Sequence, residues 1–173
     1  MMENKPKLSK YSIKFGLIAG IIGLVFGLML FFQGLHYEQS AVTTVINISI
    51  LFAVVAFCVN QYKKDNEGFL KLGDALKLGT GVALIAAVIG LVWYFLLSND
   101  IIEPGYMDKA MDIAKEKAME NNPQMTDEQW DQGVAMQKKF MWMAYPIGLI
   151  FNAILGLVAG LVFGLILRKD RPE

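Results

Sequence analysis

"YKKDNEGFLKLGDALKLG", residues 62–79, carries four lysines and three acids between two uncharged apolar runs. A greasy chain turns polar here for a short stretch and then becomes greasy again. The 173-residue chain is 55% hydrophobic with a formal net charge of zero, and its length is that of one domain, 1–173. Charge is missing from Phe15 to Leu35, Ala41 to Tyr62, Leu78 to Asn99 and Phe140 to Leu167. Crossing a hydrocarbon layer of about 30 Å takes about 20 apolar residues as helix. A spanning segment must satisfy its own backbone, and the short alternating strands of a closed barrel are absent. The reading is all-α: an integral membrane four-helix bundle with spans at about 13–35, 41–62, 76–98 and 143–167, and an outer helical loop at about 99–141.

Lysine and arginine concentrate on the cytoplasmic side of short loops. Lys5, Lys7, Lys10 and Lys14 precede the first span; Lys63, Lys64, Lys71 and Lys77 lie in the quoted stretch; Arg168, Lys169 and Arg171 follow the last span. The first outer loop, "HYEQS", has none, and in the long third loop five lysines face nine acids. Both termini and the quoted elbow are therefore expected in the cytoplasm. The first apolar run is too long for the h-region of a cleaved leader and lacks a small-x-small cleavage site, so it reads as a retained anchor. Tyr11 and Tyr62 fall toward the inner interface, and Tyr37, Trp93, Tyr94, Trp142 and Tyr145 toward the outer one.

Within the elbow, "KKDNEG" reads as a solvated turn, with Asn66 and Gly68 as the positions of unusual backbone dihedrals. Taken as a short helix, the remainder sets Phe69, Leu72, Gly73 and Leu76 on one face with Lys71 and Asp74 opposite, suited to lying in the headgroup layer while its lysines reach water or anionic lipid. A hairpin built on the doubled "LKLG" is the rival, and Asp74 is a candidate cap for the third span.

The same stretch carries a family likeness. The pattern of a tyrosine, a basic residue, then Asn66, Gly68, Leu70, Gly73, Ala75, Lys77 and Gly79 resembles the inner loop of a bacterial membrane family, domain of unknown function 4199 (DUF4199). The likeness extends through the glycine-rich first span and the Met- and Lys-rich outer loop ending in "MQKKFM". It implies four spans and residence in the bacterial envelope, and brings no catalytic residues.

The first span sets Gly16, Gly20, Gly23 and Gly27 along one side, and the fourth repeats this with Gly156, Gly160 and Gly164. Small residues at four-residue spacing let backbones approach where lipid removes the hydrophobic drive. Opposed directions of travel allow these two stripes to face each other, or to form a homo-oligomer or partner interface. Asn47 and Asn152 lie at similar depth and are expected to face the bundle interior, either as interhelical glue worth about 1 kcal/mol or less, or as a polar step in a permeation path. Lone Cys58 reads as a packing residue.

No acid, base or histidine lies deep in a span, which weighs against ion coupling and intramembrane hydrolysis. In the outer loop, Glu103-Pro104-Gly105 marks a turn and Asn121-Asn122-Pro123 a helix break. Thr126 followed by Gln129 resembles a capping box, so an extracytoplasmic helical hairpin is predicted, running on into the fourth span. Seven of ten methionines fall between Met107 and Met143. Thioethers can hold Cu(I), but with no adjacent His or Cys they read as adaptable packing. Asp127, Glu128 and Asp131 suit a helix start better than acid–base chemistry. The sequence offers no catalytic set, no cofactor-binding or metal-binding motif and no nucleic-acid footprint. It is read as a non-enzymatic accessory or interaction subunit in the lipid bilayer. The alternatives are a small oligomeric transporter or channel, or an accessory to an envelope lipid- or glycan-modifying enzyme.

Overall fold

In the computed structural model, which describes residues 6–37 and 40–171, each uncharged run is helical, the last with a 3-10 turn near its start. Lys5, counted above toward the inner face, and Glu38 and Gln39 of the first outer loop lie outside the described residues. The long helices are α1 (Leu8–Phe32), α2 (Ala41–Asp65) and α3 (Leu72–Ser98), followed by α4 (Tyr106–Asn121), α5 (Asp127–Phe140) and α6 (Ala144–Leu167). Among the described residues, four stretches are long and apolar enough to cross a membrane, the last running from α5 through a 3-10 turn at Met141–Met143 into α6. Large apolar side chains such as Ile21, Val25, Phe57, Ile154 and Ile166 are exposed around the bundle. That arrangement suits a lipid surround and would be costly in water.

α3 is the hub. It packs extensively along both α1 and α6, while α2 covers the remaining side. A Cβ added to Gly79 would overlap the Gly156 carbonyl and lie 2.8 Å from Gly160 Cα; one added to Gly160 would lie 2.6 Å from the Ala75 carbonyl oxygen. Gly164 sits equally close to Ala75 and Leu72. On the other flank, a Cβ at Gly16 would lie 2.6 Å from Ile85 Cβ, and one at Gly20 would lie 3.0 Å from Ile89 Cβ. Facing residues advance together between α1 and α3, which are parallel, and in opposite order between α3 and α6, which are antiparallel. The expectation that the two glycine stripes face each other is therefore corrected: both face α3. Spacing shows that a helix can be approached closely but does not name the neighbour.

The elbow differs from the expected headgroup-lying helix. α2 continues to Asp65 and ends in a Schellman motif, with the Gly68 N–H donating to the Lys63 carbonyl at 2.8 Å. That closure puts Glu67 (φ 58°) and Gly68 (φ 83°) in left-handed space, whereas Asn66 keeps a negative φ. Asn66 is instead buried, its Nδ2 donating to the Phe69 carbonyl at 2.8 Å. Leu70 is extended and exchanges two backbone bonds with Lys169 (2.8 and 3.1 Å), which straps the tail after α6 onto the elbow. The Arg171 guanidinium reaches Glu67 at 3.1 Å, and Lys169 and Arg171 both lie over the Phe69 ring. α3 then starts at Leu72 without a side-chain cap; Asp74, the candidate cap, is buried in its first turn, where an acid complements the helix dipole. Lys77 is exposed.

Between α3 and α6 the turn at Gly105 (φ 77°), the break after Asn121 and the Thr126–Gln129 capping box all appear as read from sequence. No residue of α4 or α5 is fully buried, and an ion pair, Lys115 Nζ to Asp127 Oδ1 at 2.6 Å, bridges the two.

These contacts separate two kinds of glycine. Gly79→Leu should drive α3 and α6 apart and lower stability by roughly 1–3 kcal/mol or more. Gly73→Ala, at an exposed helical position with nothing within 4 Å of the new Cβ, should leave stability unchanged or raise it by up to about 1 kcal/mol. Thermal midpoints of both variants in lipid nanodiscs check the contrast.

Candidate functional site

The bundle is not packed evenly along its length. At the end where α1 begins, α6 ends and the elbow lies, Val55, Cys58, Val59, Tyr62, Leu78, Val82, Ala83 and Ala159 are wholly buried. In the opposite half, toward α4, the helices part and leave a half-open cleft. A cavity of about 370 Å³ is bounded by all four long helices, with Ala19, Gly23, Leu51, Gly90, Phe151 and Asn152 among its lining. A second, of about 300 Å³, continues toward α4 past His36, Tyr94, Leu97 and Tyr106. Thr44, Asn47 and Trp93 line both. Volumes of this size fall in the range of small-ligand sites.

The cause lies in the residues. Close contact depends on Gly79, Gly156 and Gly160 at one end; toward the other, Gly23 and Gly90 meet nothing within 4 Å. Gly27 faces the Trp93 indole at van der Waals distance, so the indole spaces α1 from α3 there. Of the four glycines in the α1 stripe, Gly16, Gly20 and Gly27 face α3 side chains, while Gly23 opens on the cavity.

Asn47 and Asn152 both line the larger cavity, but they do not bond each other. Asn47 Nδ2 donates to the Thr43 carbonyl at 3.0 Å and Asn152 Nδ2 to the Gly148 carbonyl at 2.9 Å, each on its own helix. Thr44 likewise donates to the Ser40 carbonyl at 3.1 Å.

At the mouth stands a cluster that the sequence reading did not assemble. Glu103 accepts from the Tyr37 hydroxyl, from His36 Nε2 at 2.8 Å and from Lys109 Nζ at 3.1 Å. The His36 ring lies 4.0 Å from Tyr37 and stacks 5.8 Å from Tyr106, and Phe31 lies against both His36 and Trp93. His36 thereby joins the segment after α1 to α4, over the cavity that Trp93 lines. In sequence, His36 and Tyr37 were loop and belt residues and Glu103 belonged to a turn. The available signal was an acid directly before Pro-Gly, opposite the only histidine in the chain.

The donors act on the carboxyl. The Tyr37 hydroxyl first, then His36 and Lys109, hold Glu103 down to about 2 from the ordinary 4.5. In return the carboxylate pushes the Tyr37 hydroxyl and the Lys109 ammonium above their usual values.

With this geometry in place, comparison with known proteins supplies the family. The DUF4199 profile, proteins of unknown function, matches residues 14–169. The chain belongs to this family. The match spans the elbow, all four long helices and the mouth cluster, and four helices of membrane-spanning length and apolarity accompany it. Neither the curated proteins nor the solved structures yielded a match.

A depressed carboxyl stabilises the fold above its unfolded value, and the contribution fades as pH falls through the folded value. The stability difference between the native protein and Glu103→Gln should therefore be full above 4.5 and shrink toward about 2. Thermal midpoints of both proteins across that window test this; a difference that stays constant would contradict it.

Proposed function

We propose that this DUF4199 protein is a non-enzymatic, multi-pass protein of the bacterial inner membrane, with both termini cytoplasmic and α4–α5 outside. In this reading it serves as an accessory or interaction subunit that presents an outward-facing binding chamber. The observation that carries it is a chamber with a floor. Space lined by Thr44, Asn47 and Asn152 lies above the wholly buried layer of Val55, Cys58, Val59, Val82 and Ala83. Binding needs a chamber with one opening, whereas conduction needs a second one. Charge distribution supports the orientation: lysines and arginines cluster at the terminal end, and acids outnumber lysines in the segment that includes α4 and α5.

A second reading, a small oligomeric transporter, draws on the polar lining of Thr44, Asn47 and Asn152. It requires the packed half to open, against the glycine contacts that hold α3 to α6.

Reconstituted proteoliposomes separate the two. The accessory reading expects ion and small-solute flux no greater than in protein-free vesicles. In native membranes it expects crosslinks from single cysteines in α4 and α5 to recover one stoichiometric protein partner. Saturable solute flux, abolished by filling the chamber at Gly90, would establish the transporter instead.

A further inference from the structure

The elbow end carries more positive charge than its acids use. Glu67 is engaged by Arg171 and Asp170 by Arg168, and Asp74 is buried. Asp65 is satisfied by neutral donors, the Tyr11 hydroxyl at 2.6 Å and the Gln61 amide at 3.1 Å. Lys10 and Lys14 lie near enough to act on its charge. Yet neither they nor Lys64 form an ion pair among the described residues, and all three are exposed.

The bond between Tyr11 and Asp65 brings these lysines together. Each partner stands one residue after a lysine, Lys10 on α1 and Lys64 on α2. Positions three, four and seven apart share a helix face. On α1, Lys10 and Lys14 therefore head a stripe that continues through Ile18, Ile21 and Val25; on α2, Lys64 and Gln61 head one that continues to Phe57. Both stripes pass from polar directly to apolar, and all four of these apolar side chains are exposed. At 1.5 Å per residue, Lys14 and Val25 are about 16 Å apart along the axis, close to half of a hydrocarbon layer of about 30 Å. The ammoniums thus stand at the edge of one leaflet, and the apolar stripe runs to its midplane.

We propose that the seam between α1 and α2 at the elbow end docks one anionic phospholipid. Its phosphate sits among the ammoniums of Lys10, Lys14 and Lys64, and an acyl chain lies along Ile18, Ile21 and Phe57. Charge continuous with a lipid-facing stripe selects a lipid over a soluble anion or a peripheral protein, which would meet the ammoniums and leave the stripe uncovered. Three ammoniums against one carboxylate select an anionic head over a zwitterionic one. The site depends on embedding in a bilayer and not on the accessory role, so it holds for a transporter equally.

The test is native mass spectrometry of the full chain released from nanodiscs of equal phosphatidylglycerol and phosphatidylcholine. One phosphatidylglycerol should stay bound per chain, preferred over phosphatidylcholine by roughly tenfold or more, as the attraction of anionic lipid to each lysine near the surface implies. Joint replacement by Lys10→Gln, Lys14→Gln and Lys64→Gln should bring the two lipids level. Lys10→Arg, Lys14→Arg and Lys64→Arg keep the charge and should keep the preference. Lys63→Gln, Lys71→Gln and Lys77→Gln remove the same charge elsewhere at that end and should keep it too. Equal retention of both lipids by the native chain, a preference that survives the first triple, or one lost in either of the other two would overturn the proposal. So would displacement of the lipid from the native chain by millimolar inorganic phosphate, which would make the site one for the free anion.

Discussion

The close approach of α3 to α6 is the constraint from which the rest of the structure follows. Gly79 meets Gly156 and Gly160 almost backbone to backbone, with no side chain between them. Lipid supplies no hydrophobic drive between helices, so the energy of association must come from such packing. Once α6 is seated on one flank of α3 and Gly16 and Gly20 of α1 on the other, the stripes of the first and last spans are used up on the same helix. α2 then closes the bundle with Val55, Cys58, Val59 and Tyr62. The strap between Leu70 and Lys169 ties the tail to the elbow at this same end, and Tyr11 donates to Asp65 at 2.6 Å across from α1. The tight end is fastened by both packing and polar bonds.

The open end follows from the same geometry. Bulky Trp93, Tyr94 and Phe151 take the positions where small residues would have allowed contact, and Gly23 and Gly90 face space. Closure there is left to His36, Tyr37, Glu103, Tyr106 and Lys109, which form a polar and aromatic rim in place of a core. A cleft rimmed by hydrogen bonds and floored by backbone contact can hold a ligand without offering it a way through the bundle.

Features with local causes were legible in the sequence. Uncharged runs of spanning length located the four long helices, although the first three runs missed charged turns at the elbow end: α1 starts at Leu8, α2 reaches Asp65 and α3 starts at Leu72. Thr126 and Gln129, Pro104-Gly105 and Asn122-Pro123 act within a few residues and were read correctly. Partnership was harder. Gly156 and Gly160 announce a close neighbour, but Gly79, Ala75 and Ala83 on α3 form too mild a pattern to identify which one. The pairing of Leu70 with Lys169 and of His36 with Glu103 joins residues far apart in the chain, and leaves no periodic trace. Asn47 and Asn152 were placed at one depth and do line one cavity, yet sequence could not show that each amide would bond its own helix. That choice leaves room between them for something else.

The floor beneath the cavity can be tested directly from α2. Single cysteines at Asn47 and Val55, introduced with Cys58 replaced by Ser, sample the chamber and the packed floor on the same helix. In intact cells, a membrane-impermeant thiol reagent applied from outside should label position 47 and spare position 55. Equal labelling of both, or labelling of neither with reaction only from the cytoplasmic side, would contradict the account.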